Sequence, residues 1–310
     1  MPAPALKVIT TGLEFPEGPI AMADGSVILV EIRSAKLTRV APDGTKTTVA
    51  QMTGGPNGAA LGPDGRVYVC NNGGFSWLVD SENGLRPTGQ ADDYSGGRIE
   101  RVDIKTGKIE VLYTACDGHP LKGPNDLVFD AHGGFYFTDL GKTRHREIDR
   151  GGVYYAKADG SLIRQVAFPT LTANGCALSP DGKILYFVET ESARLWAMDI
   201  IAPGEVRCEP WPSPHGGRLV AQCGGAYQRF DSMAVDSAGN ACVATLMNGG
   251  ITEISPDGRN IRHIPLPDRY TTNICFGGTD LRTAFATLSG PGHLVSFQWD
   301  RPGLRLNYQE

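Results

Sequence analysis

The sequence predicts an all-β fold, a six-bladed β-propeller with four antiparallel strands per blade. Three observations lead there. One frame recurs six times: a turn signal, a polar residue, a short apolar run of strand type, then a Gly- or Asp-containing turn. It is plainest in Gly123-Pro124-Asn125-Asp126-Leu127-Val128-Phe129-Asp130, followed by Ala131-His132-Gly133-Gly134. A second strand-type run follows every copy, and no stretch has the helical period. Self-similarity at roughly 40 to 50 residues in an alternating, turn-rich chain marks propeller blades.

In chain order, the polar position of the frame holds Glu17, Asn57, Asn125, Asn174, Asp231 and Asn273. The second runs are Val27-Val30, Val67-Cys70, Phe135-Thr138, Ile184-Val188, Ala241-Thr245 and Thr283-Thr287. Extended segments precede the later frames at Thr47-Ala50, Glu110-Thr114, Ile163-Phe168, Arg218-Ala221 and Ile261-Leu266, and these read as outermost strands. Leu6-Thr10 stands in the same relation to Glu17, so the last blade is expected to close with strands from both chain ends. Leu304-Tyr308 competes for that edge. Radial repetition lets one unit reach 310 residues, so a single domain over 1–310 is expected.

Strand alternation assigns each insertion to a face. Loops from a second to a third strand return to the face where the polar residues start. Phe75 to Gly97, with Asp92-Asp93-Tyr94, and Gly141 to Gly151, with Arg144-His145-Arg146-Glu147, should therefore overhang the ring. Arg144 and His145 become candidate substrate contacts, because long loops on a rigid scaffold carry binding residues. Ala202 to Gly217, with Trp211 and His215, should lie on the far face.

A net charge of −5 supplies no basic stripe, which argues against nucleic acid. No basic-then-apolar leader and no run of membrane-spanning length is visible, so a cytoplasmic protein without membrane association is expected. The seven cysteines are odd in number and never form Cys-x-x-Cys, which reads as reduced thiols, most of them in buried strands.

In a propeller the starts of the innermost strands converge on the central channel. Two carboxylates, Glu17 and Asp231, and four amides would then share one opening. Two like charges about 4 Å apart repel by roughly 4 kcal/mol at an effective dielectric near 20. No Lys or Arg occupies a ring position, so a divalent cation is the simplest compensation. An all-oxygen donor set favours calcium, then magnesium or manganese, with zinc and iron(II) also compatible. No Gly-x-Ser-x-Gly elbow, His-Glu-x-x-His or phosphate-binding glycine loop offers a competing site.

The motifs Phe15-Pro16-Glu17-Gly18-Pro19, Gly54-Gly55-Pro56-Asn57-Gly58, Gly123-Pro124-Asn125-Asp126, Ala173-Asn174-Gly175, Phe230-Asp231-Ser232-Met233 and Thr272-Asn273-Ile274-Cys275-Phe276-Gly277-Gly278 run end to end. With them the chain resembles the senescence-marker-protein (regucalcin)/gluconolactonase family of six-bladed propellers, similar in fold to diisopropyl fluorophosphatase. The resemblance implies a divalent metal held by Glu17, Asn174 and Asp231. Asn125 would ligate directly or act through water or substrate, and Asn57 and Asn273 would contact substrate or water. It also implies hydrolysis of sugar-type γ- or δ-lactones.

The expected chemistry is metal-assisted attack of water on the lactone carbonyl, with Asp231 as base or as the group that positions the water. Two rivals remain at this stage. One is phosphotriester or fluorophosphate hydrolysis in the same site, with Asp231 as nucleophile. The other is a non-enzymatic calcium-binding or docking propeller, against which the Glu17/Asp231 pair and the overhanging loops count.

Overall fold

Short apolar runs broken by Asp-Gly and Gly-rich turns pair chiefly with their chain neighbours, and this produces six successive antiparallel sheets. The computed structural model describes residues 3–82, 84–224 and 227–309, and every regular element among them is a strand. Blade one runs from the channel outward through Pro16–Ala21, Val27–Glu31, Lys36–Val40 and Lys46–Gln51. Blade two holds Pro56–Leu61, Val67–Asn71, Arg98–Val102 and Ile109–Tyr113. Blade three holds Pro124–Phe129, Gly134–Asp139, Gly151–Lys157 and Ile163–Thr170.

Blade four starts with Ala173–Leu178, Ile184–Glu189 and Arg194–Ala202. Its outer edge is shared: Glu205–Arg207 pairs with one half of the third strand and Arg218–Gln222 with the other. Blade five comprises Arg229–Val235, Ala241–Leu246, Gly250–Ile254 and Ile261–Pro265. Blade six joins Thr271–Gly277, Thr283–Leu288 and His293–Gln298 to the N-terminal strand Lys7–Thr10, with Val8 opposite Val295. The innermost strands neighbour one another in chain order, and the sixth returns to the first.

Leu304-Tyr308 does not take the closing edge. It crosses the lower mouth of the channel, where Asn307 Nδ2 donates to Phe129 O (2.9 Å), Gly133 N donates to the Tyr308 hydroxyl (3.1 Å) and Gln309 Nε2 donates to Phe276 O (3.0 Å). Beneath the ring this tail covers a cavity of about 320 Å³. The core lies between blades: Phe230, Val188, Leu195 and Val243 pack between blades four and five. Burying each such side chain stabilises by about 1.5–3 kcal/mol.

One feature is common to all six innermost strands. Each gains one residue over its partner strand at or beside the ring position, for example between Pro124/Leu127 and Phe230/Met233. A bulge of this kind bends the strand and re-aims a side chain, so the ring residues turn toward the channel. In blades one, two and four a glycine follows the ring residue, and it has a packing reason. A Cβ on Gly58 would lie 2.4 Å from Asn125 O, and one on Gly175 would lie 2.6 Å from Met233 N.

The insertion after blade two's second strand is a hairpin of its own, Phe75–Asp80 with Gly84–Gln90. It reaches over blade one to blade six, where Leu85 N donates to Gly290 O (2.9 Å). Gln90 N, in turn, donates to Thr143 O in the 141–151 loop (3.0 Å). In the 202–217 segment Trp211 is exposed, while His215 is buried edge-on against Trp196. All seven cysteines are free; five are buried, Cys223 is half-buried and Cys208 is exposed. No helix among the described residues is long and apolar enough to cross a membrane.

Candidate active site

The six bulges bring the ring residues to one end of the channel. There a cavity of about 360 Å³ has Glu17, Asn57, Asn125, Asn174 and Asp231 on its floor. Asn273 stands behind this floor: its Nδ2 donates to Glu17 Oε2 at 2.6 Å, and Gly18 N donates to the same oxygen at 2.6 Å. Asn174 Nδ2 donates to Thr190 Oγ1 at 3.0 Å, which fixes the amide. Its Oδ1 is buried and has no hydrogen-bond donor, and Asn125 Oδ1 is in the same condition.

Burial, and next the charge of Asp231, pushes the Glu17 carboxyl well above the usual carboxylate range. Asp231 is pushed up to about 7 by burial, against the Asn174 amide, which favours its charged form. Asp126, the neighbour of Asn125, is also raised to about 7 by burial and adds its field to both. It borders the cavity below the ring.

Two buried amide oxygens without donors, beside two carboxylates with no cationic side chain between them, form a donor set for a hard divalent ion. Glu17, Asn125, Asn174 and Asp231 are the residues that could hold it. Elsewhere, Asp236, Cys242 and Glu253 have their ligand atoms within 4.8 Å of one another. That group is already neutralised: Arg301 Nη1 lies 2.9 Å from Asp236 Oδ2 and 3.1 Å from Glu253 Oε1, and Arg262 Nη2 lies 2.6 Å from Glu253 Oε2.

Comparison with known proteins agrees with this architecture. Residues 15–290 match the family model described as SMP-30/Gluconolactonase/LRE-like region. The chain belongs to this family. Among its relatives, the lactonase drp35 of Staphylococcus haemolyticus is 30% identical over 268 residues, covering 86% of this chain and 74% of that protein. The lactonase drp35 of Staphylococcus aureus is 28% identical over 269 residues, 86% of this chain and 74% of that protein. Among solved structures, a calcium-binding regucalcin from Agrobacterium tumefaciens superposes with a TM-score of 0.75 at 20% identity, covering 98% of each chain. A gluconolactonase from Xanthomonas campestris gives 0.73 at 23% identity, covering 94% of this chain and 89% of its own. At these identities the structural likeness establishes the fold.

Within this family member the overhanging segments divide. The hairpin contributes Phe75, Pro87, Thr88 and Gly89 to the cavity, and the 141–151 loop contributes Thr143. Arg144 is paired with Asp149 (2.8 Å) and Glu147 (3.1 Å), outside the cavity lining, and His145 is exposed on the loop.

Several residues escaped the sequence reading. Lys142 is buried beneath the hairpin, where its Nζ donates to Gly74 O (2.7 Å) and sits 4.1 Å over the Phe75 ring. Burial lowers it to about 7. Arg229 and Glu191 form an ion pair at the cavity rim. No motif marks these three residues. Asp126 was visible in the Pro-Asn-Asp motif, but nothing in the sequence separates its channel placement from an ordinary turn role.

Proposed function

We propose that the chain is a lactonase that opens a cyclic ester with water, assisted by one divalent cation held by Glu17, Asn125, Asn174 and Asp231. The observation that carries this is the pair of buried, donor-less amide oxygens next to two uncompensated carboxylates on a cavity floor. The names of the relatives, lactonase and gluconolactonase, support the reaction class, and the name of the calcium-binding regucalcin supports calcium as the ion. When bound, a divalent ion acts as Lewis acid on the ester carbonyl.

The chain's own residues supply the rest. Asn57, on the floor, offers its amide to polar groups of the lactone ring. A carboxylate oxygen of Asp231 accepts a proton from the attacking water, whose oxygen bonds to the carbonyl carbon. The ring C–O bond then breaks, the leaving alkoxide takes that proton from Asp231, and the product is the open hydroxy acid. A carboxyl held near 7 suits proton exchange at neutral pH, and a bound cation would lower it toward a positioning role. Glu17 is held in place by Asn273 and Gly18, and a bound cation would keep it ionised. The hairpin covers the mouth and limits bulk water.

The test is proton release from a lactone panel by metal-stripped protein, with calcium, magnesium, manganese, zinc or iron(II) restored singly. A fluorophosphate is run alongside. Turnover of lactones only with a divalent ion is the expected result. Turnover of the fluorophosphate alone, or of neither class, would refute the assignment.

A further inference from the structure

We infer that the lactone carries an apolar exocyclic arm, seated on a preformed hydrophobic wall beside the polar floor. This rests on the lactonase reading and names its substrate class. The cavity has two chemically distinct sides. Phe15, Ile32, Phe75, Pro87, Leu246 and Tyr270 line it above the floor residues. Four of these, Phe15, Ile32, Phe75 and Tyr270, belong to one apolar cluster continuous with the core of blades one and two.

The wall is fixed from behind. Trp77 meets the Phe15 ring edge-on at 5.1 Å and the Phe75 ring at 6.3 Å, and Tyr270 lies 6.4 Å from Phe15. Lys142 holds the backbone beside Phe75 by its bond to Gly74 O and faces the ring, so Phe75 cannot easily swing away. An apolar wall beside a polar floor forms a subsite, because ligand pockets combine a large apolar lining with few polar anchors.

The charged groups of the rim, meanwhile, are engaged, and Thr88, Thr143 and the Arg229 Nε are the few polar groups left beside the wall. Arg229 and Glu191 are paired with each other, and Thr190 accepts from Asn174. A chain of hydroxyls placed along the wall would lose water and find few partners, which is unfavourable for each group. An alkyl arm loses nothing there. Each methylene buried on the wall should raise kcat/KM about fourfold, from the usual transfer free energy of a CH₂ group.

The test uses full-length protein with its activating divalent ion and four δ-lactones sharing one ring size. δ-Hexalactone, δ-octalactone and δ-decalactone lengthen an alkyl arm, and glucono-δ-lactone presents hydroxyls instead. Expected is a kcat/KM that climbs along the alkyl series, largely through KM, with glucono-δ-lactone below δ-octalactone. Phe75→Ala and Tyr270→Thr should each flatten the climb along the alkyl series. The alkyl series on the unaltered protein decides the matter even where a variant fails to fold. A flat series, or a preference for glucono-δ-lactone, overturns the apolar arm and leaves the lactonase reading standing. No opening of any of the four overturns both.

Discussion

Two buried acidic groups in this molecule differ in one respect, and the difference separates structure from chemistry. Asp236 and Glu253 lie near the lower face of blade five, and Arg301 and Arg262 supply their counter-charges from within the chain. Glu17 and Asp231 lie at the upper end of the channel, hydrogen-bonded to amides and without an ion pair of their own; the Arg229 guanidinium, itself paired with Glu191, reaches Asp231 only through its field. At blade five the chain supplies the counter-charge itself. Where the chain leaves two uncompensated, with donor-less amide oxygens alongside, the compensation is expected from a ligand.

The comparison breaks most visibly through substitution. Asp231→Asn should lower lactone turnover by about 10²–10⁴-fold, the usual range for losing a general base, with the fold intact by circular dichroism. Asp236→Asn should do the reverse. It removes the charge of a buried carboxylate from a half-buried Arg301 and should cost about 1.5–3 kcal/mol in urea unfolding, while kcat of the folded protein stays within about twofold.

Ligand addition sharpens the contrast. Calcium at about a hundredfold over its Kd should stabilise metal-free protein by about 2.7 kcal/mol through linkage. Glu17→Gln should remove most of that gain, whereas Glu253→Gln should leave it in place. Thermal melts with and without the ion measure both.

Acidity gives a smaller, signed effect. Glu17, Asp126 and Asp231 all hold protons to higher pH in the folded chain than in the unfolded one, where Asp and Glu ionise near about 3.9 and 4.3. The folded state therefore binds more protons across that window. Stability of the metal-free protein should fall as pH rises from about 4 through about 7. Saturating calcium, which favours the ionised carboxylates, should flatten this slope. Smallest of all, Tyr308→Phe removes one hydrogen bond from the tail at the lower mouth and should cost about 0.5–1.5 kcal/mol without changing kcat.

The blades were legible because their signal is repetitive: a polar residue, an apolar run and a turn, six times over, with the outermost segments falling where strands formed. The face of the two overhanging insertions followed from strand direction alone. What sequence could not supply depends on distant packing. Leu304-Tyr308 looks like an edge strand, but its register partner is taken by Lys7–Thr10, and its polar side chains bond across the channel instead. Asn273 shares the ring pattern, yet its amide is aimed at Glu17 by the closure of blade six on blade one. Arg144 stands on an overhanging loop but answers two acids on that loop. The apolar wall joins residues from blades one, two, five and six, and no linear motif joins them.

The most direct test is a calcium titration of metal-stripped protein by calorimetry, with lactone opening followed in the same samples and Glu17→Gln/Asp231→Asn as the paired control. One equivalent of calcium bound, with turnover rising in proportion and both lost in the double variant, is the predicted result. Full turnover in metal-stripped protein, or undiminished calcium binding in the double variant, would contradict the assignment of the channel carboxylates as the cation site.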